Sequence, residues 1–256
     1  MRVWLKGFSV EELDDFEDGL IGQFRQHPVL VNLDLLSPAD FADILLQRRF
    51  LSIAFTPAYD LAIDLLEDEK GLEIARVILR EEYPGSEGYT RSHREDMKED
   101  LLRLGVSRKD LVATRPTAAT IQSITDTFTL ISDAATGEHP DVRLLTFLRF
   151  WGEVIVSVEY GELWRRMAQR LNSDQSSFYY PHYIHDAKRH PLVASSPLAT
   201  THSDQLGMRL WEILKTEKEG ESFKSVESEV LNLKLRFYDQ FSMKLEGAEA
   251  MVAQPQ

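Results

Sequence analysis

The chain has 256 residues, 43% of them hydrophobic and 28% charged, and 29 Lys and Arg against 42 Asp and Glu give a net charge of −13. The apolar fraction suffices for one large domain, while the acidic balance disfavours nucleic acid and anionic bilayers as partners, because like charges repel. No run approaches the ~20 apolar residues of a membrane span, residues 1–6 lack a signal-peptide core, and the absence of cysteine excludes disulfides, thiolate metal sites and a Cys nucleophile; a cytoplasmic protein with no membrane partner is expected.

Nearly every long segment carries helical periodicity. Residues 9–26 set Leu13, Phe16, Leu20, Ile21 and Phe24 on one face, and His27-Pro28 stops the helix, since the residue before a proline avoids the α region. Ser37-Pro38 restarts it as cap and first-turn proline. Phe41, Ile44, Leu45, Phe50 and Leu51 continue the pattern to Thr56-Pro57, where a break or kink is predicted. A helix over 58–68 is interrupted at Gly71 and resumes over 72–83. Residues 93–105 place Met97, Leu101 and Leu104 on one face, with Gly105 as C-cap. The segment 111–133 is semi-polar and broken early by Pro116; 141–171 is the longest and most apolar helix. A short helix over 178–190 ends before Pro191, and a loop covers 191–200. Helices follow over 201–217 and 225–245, and residues 247–256 form a frayed tail. There is no strand-like alternation and no repeat. The expectation is an all-α single domain over residues 1–246 with about eight helices.

Candidate chemistry lies where polar residues fall on apolar faces. In the 141–171 helix the series Leu148, Gly152, Ile155, Glu159, Leu163 sets Glu159 inside an apolar stripe. An ionised carboxylate there needs a cation, a metal or good donors. An arginine is the commoner partner, and Arg143, Arg149, Arg165 and Arg166 lie on the same helix. Glu81 and Glu82 continue the rows of Val77 and Ile78 at i+4, so one faces inward and the other outward. His93, four residues before Met97, sits on the buried side of its helix. His182, His185 and Asp186 stand at i, i+3 and i+4 amid Phe178, Tyr179, Tyr180 and Tyr183. Two imidazoles and a carboxylate so placed make an N/O site suited to iron, manganese or zinc. Four of the seven histidines are His182, His185, His190 and His202, and bundle metal sites draw ligands from several facing helices. The Glu-x-x-His pair of ferritin-like bundles, a phosphate loop, a G-x-S-x-G elbow and H-E-x-x-H are all absent.

On these residues, over roughly 10–215, the chain resembles the heme-oxygenase-like diiron oxidase and oxygenase family, beside the TenA-like thiaminases, the PqqC-like quinone-forming enzymes and the chlamydial protein associating with death domains. Phe24-Arg25-Gln26-His27-Pro28 and Arg48-Arg49-Phe50 resemble its first two helices. Glu81-Glu82-Tyr83-Pro84-Gly85, through His93 to Leu104-Gly105, resembles its Glu-Tyr-Gly…His…Leu-Gly signature, which implies Glu82 and His93 as metal ligands. Glu159, on the long helix after a Gly, matches the next ligand carboxylate. His182-x-x-x-Asp186 matches the first two members of a His-x-x-x-Asp-x-x-His element. The third position is Arg189, so His185, His190 or His202 must complete the second metal site.

The resemblance implies a heme-oxygenase-like bundle of seven to eight helices holding two iron ions, with manganese as the other candidate. The implied activity is an oxidase or oxygenase that acts with O2 on a small molecule: a fatty acid, an amino acid or a derivative, with p-aminobenzoate-type biosynthesis included. Tyr160, Tyr179 and Tyr183 would stand at the substrate pocket, and metal affinity would fall as pH drops through the histidine range. A homodimer is the default expectation. Two alternatives stand beside it: a metal-free TenA- or PqqC-like enzyme of the same fold, thiaminase chemistry being disfavoured by the missing Cys nucleophile, and a non-catalytic helical interaction protein.

Overall fold

The computed structural model describes residues 4–5, 8–85, 90–192 and 201–252. A two-residue hairpin opens the chain: β1 (Trp4–Leu5) pairs antiparallel with β2 (Phe8–Ser9), Trp4 opposite Ser9. The helices that follow are α1 (Val10–Arg25), the single turn α2 (Pro28–Val31), α3 (Pro38–Leu65), α4 (Glu69–Glu81), α5 (His93–Arg103), α6 (Arg108–Ala113) and α7 (Ala118–Thr136). Next, α8 runs over 140–167 as α-helix (Pro140–Phe147), π-helix (Leu148–Val154) and α-helix again (Ile155–Met167). The set closes with α9 (Tyr179–His185), α10 (His202–Ile213), α11 (Glu217–Asp239) and α12 (Ser242–Val252).

The fold class is therefore all-α as expected, but with twelve helices among the described residues rather than seven or eight. Local caps explain the finer division. Thr216 and Glu219 form a capping box that starts α11 well before residue 225. Pro57 does not break α3, which runs unbroken for 28 residues; one N–H is lost to a helix otherwise held by its packing. Gly71 sits in the first turn of α4, where Asp68 Oδ2 accepts from its N–H at 2.7 Å, and a Cβ there would meet Leu145 Cδ2 at 2.7 Å. That glycine permits α4 to approach α8 closely and interrupts nothing. α12 extends through Gly247, where a frayed tail is predicted, and residues 253–256 lie outside the described residues. Most of the predicted 191–200 loop also lies outside them.

The centre of the bundle is α8. Every residue from 144 to 160 is buried, the mark of a helix enclosed on all sides, and α1, α3, α7, α9, α10 and α11 pack around it. Arg149, 1% exposed, binds both oxygens of Glu17 on α1 and donates from Nε to the Ser203 carbonyl at 3.0 Å. Among the described residues no helix is long and apolar enough to cross a membrane.

Candidate metal centre

Four helix ends deliver polar side chains to one cavity. Glu81 and Glu82 lie at the C-terminal end of α4, and His93 is the first residue of α5, fixed there by the reciprocal Ser92–Glu95 capping box. His182 belongs to α9, whose entry is held by Asp100. This fully buried carboxylate accepts from Ser176 Oγ at 2.7 Å and from the backbone N–H groups of Ser177, Phe178 and Tyr179 at 3.0 to 3.2 Å. His202 opens α10 behind the Thr201 cap.

Two groups result. In the first, Glu82 Oε1 lies 2.8 Å from His93 Nδ1, and the His93 and His182 rings meet edge-on with centroids 4.6 Å apart. His182 Nδ1 is 2.7 Å from the Phe178 carbonyl. A carbonyl can only accept, so Nδ1 carries the proton and the Nε2 lone pair is left available. One ligand atom from each of Glu82, His93 and His182 falls within 4.8 Å of the others. In the second group the same holds for Glu153, Asp186 and His202. His202 Nδ1 lies 3.4 Å from Glu153 Oε2 and 3.8 Å from Asp186 Oδ1, while its Nε2 is 3.4 Å from Glu81 Oε1. The buried Tyr59 hydroxyl donates to Glu153 Oε1 from the opposite side.

The electrostatics are those of crowded acids. Burial, then Glu153, Glu82 and Glu81, push the Asp186 carboxyl well above the usual carboxylate range. Burial, then the neighbouring His93, pull His182 down to about 3, so it is neutral. Burial disfavours the charged forms of His93 and His202 as well, but Glu82 and Glu153 respectively outweigh it and raise both. Neutral imidazole and clustered carboxylates that repel one another are a donor set that a hard or borderline cation would relieve, and the mixed N/O chemistry suits iron, manganese or zinc. Both groups line a cavity of about 560 Å³ whose apolar wall includes Ile78, Phe55, Trp151 and Val156.

Of the sequence-derived candidates, Glu82, His93 and His182 come together, and so do Asp186 and His202. Glu159 does not join them. It is fully buried, but Arg48 Nε at 2.8 Å, Lys234 Nζ at 2.9 Å and the Tyr238 hydroxyl at 2.8 Å occupy its oxygens. Burial raises its pKa, and the two cations more than reverse that, so it stays ionised. The cations come from α3 and α11, not from the arginines of its own helix. His185 lines the cavity but stands exposed at the end of α9 and in neither group. His190 is held instead by Asp204, with Nδ1 2.7 Å from Oδ2, an anchor that ties the chain after α9 to the start of α10. Of the three tyrosines only Tyr160 lines the cavity, its hydroxyl 3.0 Å from Ser52 Oγ. Tyr179 packs edge-on behind Tyr160, at 5.2 Å, and Tyr183 lies over Gly161, where a Cβ would come within 2.7 Å of its ring.

The carboxylate that sequence reasoning missed is Glu153. An unbroken α-helix phases the apolar stripe onto Glu159, but residues 148–154 wind as π-helix, which inserts an extra residue per turn and re-aims the face; such segments recur at functional sites. The available signal was Gly152 directly before Glu153. A Cβ at 152 would meet the Tyr59 ring at 2.7 Å, so the glycine lets Tyr59 reach its neighbour Glu153.

No protein-family model and no curated protein matches the chain. Among solved structures it is similar to a domain of unknown function with a heme oxygenase-like fold from Shewanella denitrificans OS217, at TM-score 0.69 and 19% identity over 94% of each chain. It is also similar to a CADD-like protein of unknown function from Nostoc punctiforme PCC 73102, at TM-score 0.65 and 12% identity, covering 96% of this chain and 99% of that one. A TenA family transcription regulator from Silicibacter sp. TM1040 aligns at TM-score 0.57 and 16% identity over 90% of this chain and 94% of its own.

Proposed function

The chain has a heme oxygenase-like fold, and within that fold we propose that it is a dinuclear metal oxidase or oxygenase that uses O2 on a small organic substrate. The observation that carries the reading is the pairing of two N/O groups, Glu82–His93–His182 and Glu153–Asp186–His202, on the wall of one largely apolar cavity. Iron is the metal of choice, since two ferrous ions held there would supply the electrons that reduce O2.

The protein's own contribution is placement and exclusion. Asp100 sets the α9 turn that carries His182, and Tyr59 holds one oxygen of Glu153, leaving the other toward His202. The carbonyl of Phe178 keeps the proton of His182 on Nδ1, away from the ligand-side nitrogen. Glu81, half exposed, reaches His202 from the rim and is the nearest spare acid for carrying a proton in or out. Phe55, Trp151 and Val156 keep bulk water off the acids.

The test is anaerobic loading of purified protein with ferrous iron, followed by oxygen-electrode measurement. Stoichiometric O2 uptake that requires both groups supports the reading. Iron that fails to bind, or binds without consuming O2, ends it.

A further inference from the structure

Asp14, Glu17 and Asp18 stand at i, i+3 and i+4 on one face of α1, outside the cavity. The segment that leaves α9 crosses that face. Lys188 Nζ lies 3.2 Å from Asp14 Oδ1, 2.8 Å from Glu17 Oε1 and 2.8 Å from Asp18 Oδ1. Both Asp14 oxygens accept from the Leu192 N–H, at 3.0 and 3.1 Å. Glu17 is the fully buried member of the three. Its other partner is Arg149, which reaches both of its oxygens and gives Nε to the Ser203 carbonyl. Burial raises the Glu17 pKa, but Arg149 more than reverses that and holds it at about 2, so the carboxylate is ionised. α10 makes room for the guanidinium at Gly207, where a Cβ would stand 3.0 Å from Arg149 Nε.

Each of these ties ends beside a member of the second ligand group. Lys188 follows Asp186 by two residues, Ser203 follows His202 directly, and Arg149 shares the π-helical segment 148–154 with Glu153. The first group is fixed by other contacts, the Ser92–Glu95 box under His93 and Asp100 under α9. A buried ion cluster adds little net stability over apolar packing of the same volume. What it supplies here is a fixed relation between three distant parts of the chain. We infer that Glu17 is a positioning residue for the second ligand group: one carboxylate outside the cavity sets Asp186 through Lys188 and His202 through Arg149, and leaves Glu82, His93 and His182 untouched. That the group so held binds iron rests on the oxidase reading; that Glu17 holds it does not.

The experiment compares the full chain with Glu17→Gln, in which Glu227 Oε1, 3.8 Å from the Arg149 guanidinium, takes over as its counter-ion. Should that variant not fold, Lys188→Met repeats the test, with Lys188→Arg as the charge-keeping rescue. Two readouts are taken. On metal-free protein, hydrogen exchange followed by mass spectrometry is expected to quicken at residues 186–192 and 202–206 and to stay unchanged along α5. In ferrous iron titration by calorimetry, one iron is expected to bind about tenfold or more weaker, while the other keeps its Kd. A merely structural role would quicken exchange throughout the bundle or weaken both irons alike. The inference is overturned by wild-type exchange at the two segments, by faster exchange everywhere, or, where the wild type takes up two irons, by an equal effect on both or none on either. If the wild type binds no iron the metal reading fails, and exchange alone then decides whether Glu17 holds the group.

Discussion

Gly152→Ala places one methyl where the structure has no room. Its Cβ falls 2.7 Å from Tyr59 Cε2 and 2.9 Å from the Tyr59 hydroxyl, at least ~0.8 Å inside the best carbon–carbon separation. Tyr59 cannot step aside, because it is fully buried and its ring stacks on Phe55 at 4.4 Å. Overpacking of this kind costs about 1–3 kcal/mol. Displacing the hydroxyl from Glu153 adds the loss of a hydrogen bond to a charged group, about 1.5–3 kcal/mol. A total of about 2.5–6 kcal/mol lowers Tm by about 5–24 °C in a chain of this size. Thermal unfolding by circular dichroism measures it, and iron titration of the same variant reads whether Glu153 has moved. Tyr59→Phe removes the hydroxyl alone and costs only the hydrogen-bond share. The double variant falls short of the sum, because part of the clash has gone with the oxygen. A Gly152→Ala protein with the wild-type Tm and full iron content, or strict additivity in the cycle, refutes the coupling of Gly152, Tyr59 and Glu153.

The remaining predictions concern charges that the fold holds inside. Glu159→Ala leaves Arg48 and Lys234 buried without their acid and destabilises by about 3–5 kcal/mol in urea unfolding, yet iron stoichiometry stays at the wild-type value; Glu153→Gln does the reverse, keeping most of the stability and losing one iron per chain. Asp100→Asn weakens four hydrogen bonds at the start of α9, costing about 1–3 kcal/mol and lowering iron affinity at the His182 group in competition with a chelator. Glu227 is fully buried, and burial, then the adjacent Glu17, raise its pKa well above the carboxylate range. A raised acid contributes stability below its unfolded pKa and loses it as pH climbs toward the folded one, so at pH 7 it opposes folding. Glu227→Gln therefore raises Tm at pH 7, with the gain shrinking toward zero near pH 4; equal Tm values at both pH values contradict the protonated assignment.

Much of this architecture is legible in the sequence because caps and apolar periods are local. Ser37-Pro38, Ser92 with Glu95, and the 3.6-residue spacing of Met97 and Leu101 act within one or two turns, and the helices appear where those signals put them. Glu82 and His93 could be paired from sequence because a helix end and the next helix start bracket them at short separation. Periodicity set Glu159 inward with a cation as its commoner partner, and the structure agrees; only the family resemblance made it a metal ligand. Its partners Arg48 and Lys234 lie 111 and 75 residues away, on other helices. The π-helical turns that aim Glu153 carry no propensity signature comparable to a cap. His202 was one of three candidates for a position left open by Arg189, and the return of the chain after α9, anchored by His190 on Asp204 and by Arg149 on the Ser203 carbonyl, is what brings it beside Glu153 and Asp186.

Anomalous diffraction at the iron edge, from crystals of the iron-loaded protein, locates bound iron among these side chains. Two peaks are expected, one among Glu82, His93 and His182 and the other among Glu153, Asp186 and His202, with none at Glu159. A single peak elsewhere, a peak at Glu159, or no peak in crystals saturated with ferrous iron contradicts the dinuclear centre.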